Sequence, residues 1–159
     1  MRKIIYPGTF DPIHNGHLNI AFRASKLFDK VEFVIAENLE KKPLFSLDER
    51  LNLIQDSIKK FKNISVSIFK GLVVEYAEKN KADSIIRGLR HVSDFEFEFQ
   101  MAMMNFNLNP KITSLFMMPD EKYIHINSTV LKDVAKNNGD VSSFVPQCVK
   151  DALVIKYSE

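Results

Sequence analysis

Short apolar runs alternate along the whole chain with longer segments whose apolar residues recur at helical spacing. The runs predict five strands, at residues 4–6, 31–36, 64–68, 84–86 and 113–118. The segments between them predict helices at residues 13–28, 47–61, 73–80, 93–108 and 128 to about 139, with a last helix opening at Pro146. The connections are long enough for parallel pairing. The pattern therefore predicts an α/β fold: a doubly wound, Rossmann-like, five-stranded parallel sheet with C-terminal helices, in one domain over residues 1–159.

Polar residues mark the expected starts of several helices. Ser46 and Glu49 have the spacing of a capping box, in which each side chain bonds the other's backbone N–H. Ser93 and Glu96 repeat this pattern before the fourth helix, and Ser128 predicts the cap of the fifth. We therefore expect capped helix starts at residues 46, 93 and 128.

Composition and charge weigh against several classes of protein. The 159 residues include 22 basic and 20 acidic side chains, a net charge of +2, without the basic excess typical of nucleic-acid-binding proteins. No apolar run approaches the length that spans a bilayer, and the first apolar run is too short for a signal peptide. Cys148 is the only cysteine, so an intramolecular disulfide is excluded. We expect a cytoplasmic protein that binds neither nucleic acid nor a membrane.

Residues with useful chemistry cluster where the predicted strands end. In a doubly wound sheet, ligands bind beyond the carboxyl ends of the strands, where helix N-termini point at them. The five strand exits are residues 7–17, 37–42, 70–71, 87–90 and 119–128, and they are marked by cations or a pair of histidines. This clustering is typical of a site for a phosphate-bearing ligand.

The first exit carries the most chemistry. Gly8 allows close approach to a ligand, and Thr9 offers a hydroxyl and a backbone N–H to a phosphate oxygen. His14 and His17 are three residues apart at a helix start and therefore share one face, with Gly16 leaving that turn open. A chance pair of histidines is the alternative. A metal site is disfavoured because no carboxylates flank the pair.

Two pairs of cations lie at other exits. Arg87 and Arg90 follow the fourth strand, and Lys41 and Lys42 follow the second. Arginine is well shaped for bidentate phosphate binding, although a solvated surface is the alternative for both pairs. No Ser-His-Asp arrangement, reactive cysteine or Walker loop is visible. The residues thus favour catalysis by positioning and charge stabilisation.

These motifs resemble a known family. Residues 9–12 followed by His14-Asn15-Gly16-His17 resemble the first signature of the nucleotidyltransferase superfamily that shares the HxGH motif. Residues 87–105 and the Lys41-Lys42-Pro43 segment resemble bacterial phosphopantetheine adenylyltransferase in particular. The resemblance runs essentially from end to end, and the block at 87–105 is its specific part.

The resemblance implies the reaction ATP + 4′-phosphopantetheine ⇌ dephospho-CoA + pyrophosphate, in coenzyme A biosynthesis, without a covalent enzyme intermediate. It also implies a homohexamer, Mg²⁺ held mainly by phosphates, and coenzyme A as a feedback ligand. The implied transition-state stabilisers are His17, Thr9 and Lys41. The implied ATP-binding residues are Thr9, Phe10, His17, Gly88, Leu89, Arg90, Glu98, Tyr123, Ile124, His125, Ile126, Asn127, Ser128 and Thr129. The implied acceptor-binding residues are Thr9, Lys41, Val73, Arg87, Met104 and Asn105.

Other functions stay open at this point. Nicotinate mononucleotide adenylyltransferases carry a segment close to residues 12–18, and the Ser128-Thr129 pair also resembles them. The phosphopantetheine enzymes usually have three serines where this chain has Asn127, Ser128 and Thr129. The block at 87–105 and the short chain favour the phosphopantetheine enzyme. A nucleotide-binding sensor without turnover is a further alternative, as is a tRNA-charging domain, which the lack of an anticodon-binding extension disfavours.

The predicted fourth helix has more bulky apolar residues than one core face needs. It carries Phe95, Phe97, Phe99, Met101, Met103, Met104 and Phe106. We therefore expect part of this helix to lie at a subunit contact near the active site.

Overall fold

The computed structural model describes residues 1–37 and 42–158. At its centre is a sheet of five parallel strands, namely β1 (Lys3–Gly8), β2 (Lys30–Ala36), β3 (Ile64–Phe69), β4 (Ser84–Gly88) and β5 (Thr113–Met117). Their order across the sheet is β3-β2-β1-β4-β5. The predicted α/β fold with a five-stranded parallel sheet is confirmed.

Helices connect the strands and complete the chain. They are α1 (Asn15–Ala24), α2 (Leu47–Ile58), α3 (Val73–Lys79), α4 (Val92–Leu108), α5 (Ser128–Lys136) and α6 (Gln147–Ser158), with a 3₁₀ turn at Glu121–Tyr123 before α5. The first helix is shorter than its predicted span of 13–28. Its apolar spacing continues into residues 25–28, but those residues form turns, with the N–H groups of Leu27 and Phe28 both bonding the Ala24 carbonyl.

One of the three predicted helix caps is confirmed. The Ser46 hydroxyl accepts a hydrogen bond from the Glu49 N–H at 3.2 Å, and the Glu49 carboxylate accepts one from the Ser46 N–H at 2.8 Å. The predicted cap at Ser93 is wrong, because α4 already begins at Val92 and His91 is its N-cap. There the Asp94 carboxylate accepts from the His91 N–H, a bond that competes with the box predicted two residues later.

The predicted cap at Ser128 is wrong by one residue. Asn127 caps α5, and its side-chain oxygen accepts from the Val130 N–H at 2.8 Å. The Ser128 hydroxyl instead donates to the Pro12 carbonyl at 2.8 Å, which ties the start of α5 to the loop after β1. Asn127 thus caps the helix, and Ser128 links it to the loop after β1.

Two apolar layers enclose the sheet because alternate strand residues point to opposite faces. On one face, Ile4 and Phe33 belong to a cluster that includes side chains of α1, α2, α5 and α6. On the other face, Ile5 and Val34 pack with Val74 of α3. Most strand interiors are thus committed to apolar packing, and the open space for polar chemistry lies at the ends of the strands.

The carboxyl edge of the sheet is open at its centre. β1 and β4 are neighbours, although β2 and β3 lie between them along the chain. The chain therefore leaves β1 towards one side of the sheet and leaves β4 towards the other. Such a switch point opens a crevice between the two connections, where ligands of this fold class bind.

The burial pattern of α4 is the reverse of that of an ordinary amphipathic helix. Its buried residues are Glu98 and Asn105, both polar. Its exposed residues include Phe95, Phe97, Phe99, Met101, Met103, Met104, Phe106 and Leu108. Among the described residues, no helix combines the length and apolar composition needed to cross a membrane.

Candidate active site

A crevice of about 730 Å³ lies at the carboxyl edge of the sheet. Its walls come from the exits of β1 and β4, the starts of α1 and α5, and the residues before α2. The predicted site residues that line it are Thr9, Phe10, His17, Arg87, Gly88, Arg90, Glu98, Asn127, Ser128 and Thr129. Lys41 falls outside the described residues. The structure thus gathers at one crevice most of the residues that the sequence placed at the exits of β1 and β4.

The turn after β1 is shaped by close packing between Gly8 and Phe10. A Cβ atom at Gly8 would lie 2.7 Å from the Phe10 ring, so a larger residue there would force the ring to move. Phe10 has a φ of 49°, in the left-handed region that residues other than glycine rarely adopt. Its ring is 3% exposed and packs edge-on against Tyr6, Phe33 and His17. Phe10 therefore forms the floor beneath His17.

His14 and His17 cap the start of α1 reciprocally. The His14 Nδ1 accepts from the N–H groups of Gly16 at 3.1 Å and His17 at 3.4 Å, while the His17 Nδ1 accepts from the His14 N–H at 3.3 Å. The two rings stack with centroids 3.6 Å apart. Because each Nδ1 acts as an acceptor, each neutral ring carries its proton on Nε2.

The surroundings keep both imidazoles uncharged. Burial, reinforced by the charge of Arg90, lowers the pKa of His14 to about 3. Burial also holds the pKa of His17 well below its usual value, with further lowering by His14 and Arg90. The Nε2 of His14 is buried without a hydrogen-bond partner in the described part of the chain. Because neither ring carries a charge, the start of α1 attracts an anionic ligand through the positive end of its helix dipole.

Gly16 keeps this pair of rings compact. A Cβ atom at Gly16 would lie 3.0 Å from His14 Cε1 and 3.1 Å from its Nδ1. The imidazole is rigid and fixed by its hydrogen bonds, so it could not move aside easily. A residue other than glycine would therefore disturb the cap itself.

Arg87, at the exit of β4, is held by a bidentate ion pair. Its Nε and Nη2 each donate to the Glu98 carboxylate at 2.7 Å, and its Nη1 donates to the Pro7 carbonyl at 2.7 Å. Burial alone would lower the pKa of Arg87, but the bonds to Glu98 outweigh it and raise the pKa. Glu98, predicted to bind ATP, thus contacts the arginine predicted to bind the acceptor.

Arg90 lies on the other side of the β4 exit. Its Nη1 donates to the Ile126 carbonyl at 2.8 Å, and its Nε is 3.7 Å from the Asp94 carboxylate. The contact with Ile126 links the β4 exit to the segment before α5. Arg87 and Arg90 therefore face one crevice from two separately anchored positions.

Comparison with known proteins identifies the family. The profile of the cytidylyltransferase-like family matches residues 5–134. The phosphopantetheine adenylyltransferase of Opitutus terrae is 51% identical over 96% of this chain and 96% of that protein. The proteins of the same name from Syntrophotalea carbinolica and Lawsonia intracellularis are 47% and 48% identical, over 99% and 100% of this chain and 95% and 92% of those proteins. The chain belongs to the phosphopantetheine adenylyltransferase family.

A solved structure supports the fold of this family. A putative nicotinate-nucleotide adenylyltransferase from Vibrio parahaemolyticus has a TM-score of 0.73, with 97% of this chain and 99% of that chain covered. At 21% identity this likeness concerns the fold alone. The much higher identity to phosphopantetheine adenylyltransferases decides between the two families that the sequence motifs left open.

Several predicted site residues do not line the crevice. They are Val73, Leu89, Met104, Asn105 and the Tyr123-to-Ile126 segment. The Ile126 side chain is buried in the core, and the His125 ring packs edge-on against Phe144. Met104 lies on the exposed face of α4, whereas Asn105 is buried. Their roles in binding ATP or the acceptor stay predictions.

Three charged residues around the crevice were not predicted from the sequence. Asp11 and Lys132 line it and form an ion pair at 2.7 Å, and Arg50 donates to the Thr9 carbonyl at 2.8 Å. Lys132 is four residues after Ser128, and so on the same face of α5, which was a usable signal. Within residues 1–37 and 42–158, no three His, Cys, Asp or Glu side chains are grouped as metal ligands.

Proposed function

We propose that this protein transfers AMP from ATP to the phosphate of 4′-phosphopantetheine, giving dephospho-CoA and pyrophosphate. The observation that carries the proposal is the pair of neutral histidines at the start of α1, in a crevice also faced by two arginines, in a member of this family. Such a site suits two phosphate-bearing substrates, because it offers hydrogen-bond donors and cations and requires no side-chain nucleophile.

The proposed chemistry is a single displacement at the α-phosphorus of ATP. An oxygen of the acceptor phosphate forms the new bond to phosphorus, and the bond to the oxygen bridging the α- and β-phosphates breaks, releasing pyrophosphate. The attacking oxygen is already anionic, so no general base is needed. What the protein supplies is in-line positioning of two anions and stabilisation of the charge that builds up in the transition state.

His17 is the proposed transition-state stabiliser. Its Nδ1 is used in capping α1, which leaves its Nε2–H as the donor available to a non-bridging α-phosphate oxygen. A neutral donor of this kind needs no proton transfer and keeps its form across the working pH range. Thr9 and Lys41 are proposed to share this role.

In this proposal each of the two arginines binds a different substrate. Arg90 binds the phosphates of ATP that leave as pyrophosphate, and Arg87 binds the phosphate of the acceptor. Arg87 is oriented by its bonds to Glu98 and Pro7. Each of its two terminal nitrogens carries two N–H groups, and these bonds use one of them, so the other can donate to a phosphate. Bidentate donation from a fixed guanidinium suits a phosphate group well.

We propose Mg²⁺ as the cofactor, held mainly by phosphate oxygens. Of the carboxylates that line the crevice, Asp11 pairs with Lys132 and Glu98 pairs with Arg87. Neither is free to act as a metal ligand without breaking its ion pair, whereas Mg²⁺ commonly binds through substrate phosphates. When bound, the metal would neutralise part of the phosphate charge. We also propose that the reaction takes place in the cytoplasm.

We also propose that the protein is a homo-oligomer, with a hexamer as the expected form, and that coenzyme A acts as a feedback ligand. The apolar face of α4 supports self-association, since monomers rarely expose so many bulky apolar side chains together. Coenzyme A shares the pantetheine arm of the acceptor, which supports its binding at the same crevice.

The acceptor is tested directly by supplying ATP, Mg²⁺ and a panel of phosphorylated acceptors and identifying the adenylated products by mass. We expect kcat/KM for 4′-phosphopantetheine to exceed that for nicotinate or nicotinamide mononucleotide at least about a hundredfold. That ratio needs only about 2.7 kcal/mol of differential transition-state binding. Comparable efficiency with a mononucleotide would contradict the proposed acceptor.

A further inference from the structure

Two buried side chains of opposite charge grip the short segment before α2 from both edges of its backbone. The Asp11 carboxylate accepts from the N–H groups of Leu44 and Phe45, each at 2.9 Å. The Arg50 Nε donates to the carbonyls of Phe45 at 3.1 Å and Ser46 at 3.3 Å. Residues 44–46 are thus fixed by an acceptor on one side and a donor on the other.

The same two side chains also reach the walls of the crevice. The Arg50 Nη1 donates to the Thr9 carbonyl at 2.8 Å, which joins α2 to the turn after β1. The Asp11 carboxylate pairs with the Lys132 ammonium group at 2.7 Å, which joins that turn to α5. Lys42, just before the gripped segment, lines the crevice as well. Three walls of the site are therefore connected through Asp11 and Arg50.

Holding a loop with the buried charge of Arg50 costs free energy. It is 3% exposed, and in the described part of the chain it forms no ion pair with a carboxylate within 4.0 Å. Among the residues that the structure describes, its hydrogen-bond partners are all backbone carbonyls. Burial lowers the pKa of Arg50, and the charge of the nearby Asp11 carboxylate offsets this only in part. Burying such a charge is costly, and an apolar side chain at this position could fill the space at less cost. What an apolar side chain could not do is donate at the same time to the Thr9 carbonyl and to the carbonyls of Phe45 and Ser46.

We propose that Asp11 and Arg50 are positioning residues of the transferase reaction, acting as one clamp that sets the Thr9 turn against residues 42–46. This inference rests on the proposed function. Neither residue needs to contact the substrates. Their effect is on the alignment of the groups that do, and small misplacements of such groups cost rate more than binding.

The kinetic signature follows from this division. Loosening the clamp should lower kcat about tenfold or more, while the KM for ATP changes less than about threefold, since Arg90 is anchored elsewhere. Because both residues hold the same segment, releasing the second after the first should add little. Their effects on kcat should therefore be strongly non-additive.

The test compares Arg50→Lys, Asp11→Asn and the double variant with a matched control, Glu32→Gln. Lysine keeps the charge of Arg50 without its planar fork, and asparagine keeps the shape of Asp11 but only one acceptor oxygen. Glu32 is another buried charge, bonded to Lys3, Ser67 and Tyr76. It belongs to the other face of the sheet, and the crevice is not lined by it. Its variant should lower the thermal midpoint and leave kcat unchanged.

A second measurement does not depend on turnover. Arg50 does not bond the N–H groups of Leu44 and Phe45, so Arg50→Lys should speed their hydrogen exchange only if the clamp acts as a unit. Variants that lose stability as Glu32→Gln does, with wild-type kcat and unchanged exchange at these amides, would overturn the proposal. So would effects on kcat that multiply in the double variant. A wild-type protein that fails to adenylate 4′-phosphopantetheine would instead overturn the proposed function, and the catalytic part of this inference with it.

Discussion

The stability of this protein should fall in mild acid because His14 is buried uncharged. Its pKa is lowered from 6.5 to about 3 in the folded chain. Between these two pH values His14 is protonated in the unfolded chain and neutral in the folded chain. The stabilising contribution is therefore complete above the unfolded-state pKa and is lost as pH falls towards 3. At pH 5 the loss is about 2 kcal/mol, since any folded-state pKa below about 4 gives the same value there.

The substitution that isolates this effect is His14→Asn. Asparagine is a good N-cap residue, so it can still accept from the N–H groups of Gly16 and His17, and it does not titrate. The free energy of unfolding is measured by urea denaturation at pH 7.5 and pH 5 for both proteins. Wild type should lose about 2 kcal/mol more than the variant over this interval. His17, whose pKa is lowered in the same direction, is present in both proteins. Equal losses in the two proteins would refute the assignment of a buried neutral His14.

Three further outcomes follow from the site and the surface. His17→Ala should lower kcat roughly 10²–10³-fold with much smaller loss of ATP affinity, measured by steady-state kinetics and nucleotide titration; near wild-type turnover would contradict its role. Arg87→Lys should raise the KM of the acceptor about tenfold, and Arg90→Lys that of ATP, by loss of bidentate donation; small, equal effects on both would indicate solvated arginines. Light scattering at micromolar concentration should give a mass above that of a monomer, and Phe97→Asp should reduce it; a monomeric wild type would contradict self-association.

The arrangement of strands and helices could be predicted because the apolar period changes clearly between them. The exits of β1 and β4 then placed the two histidines and Arg87 near one another through topology alone. Boundaries were less predictable where neighbouring polar residues compete for the same cap. Asn127 and Ser128 are both good cap residues, and only the contact of the Ser128 hydroxyl with Pro12 distinguishes them.

Contacts between residues far apart in the chain could not be predicted. Asp11 and Arg50 meet at residues 44–46 only after β1, β2 and α2 have assembled. The sequence does carry one sign of this, because Arg50 interrupts the apolar stripe of α2, three residues after Leu47 and four before Ile54. From the sequence alone, a charge in that position can be either solvated at the edge of the apolar stripe or buried in a structural contact. The structure shows that Arg50 is buried.

Glu98 faces inward, and its neighbours Phe97 and Phe99 face outward on the same helix. Replacing the outer phenylalanines with charged residues to improve solubility can therefore also affect the active site. Any shift of α4 that follows would pull Glu98 away from the Arg87 guanidinium, which it contacts through two bonds of 2.7 Å. Better-behaved variants should therefore be screened for acceptor affinity as well as for yield, and substitutions at the far end of the helix, near Leu108, are the safer place to begin.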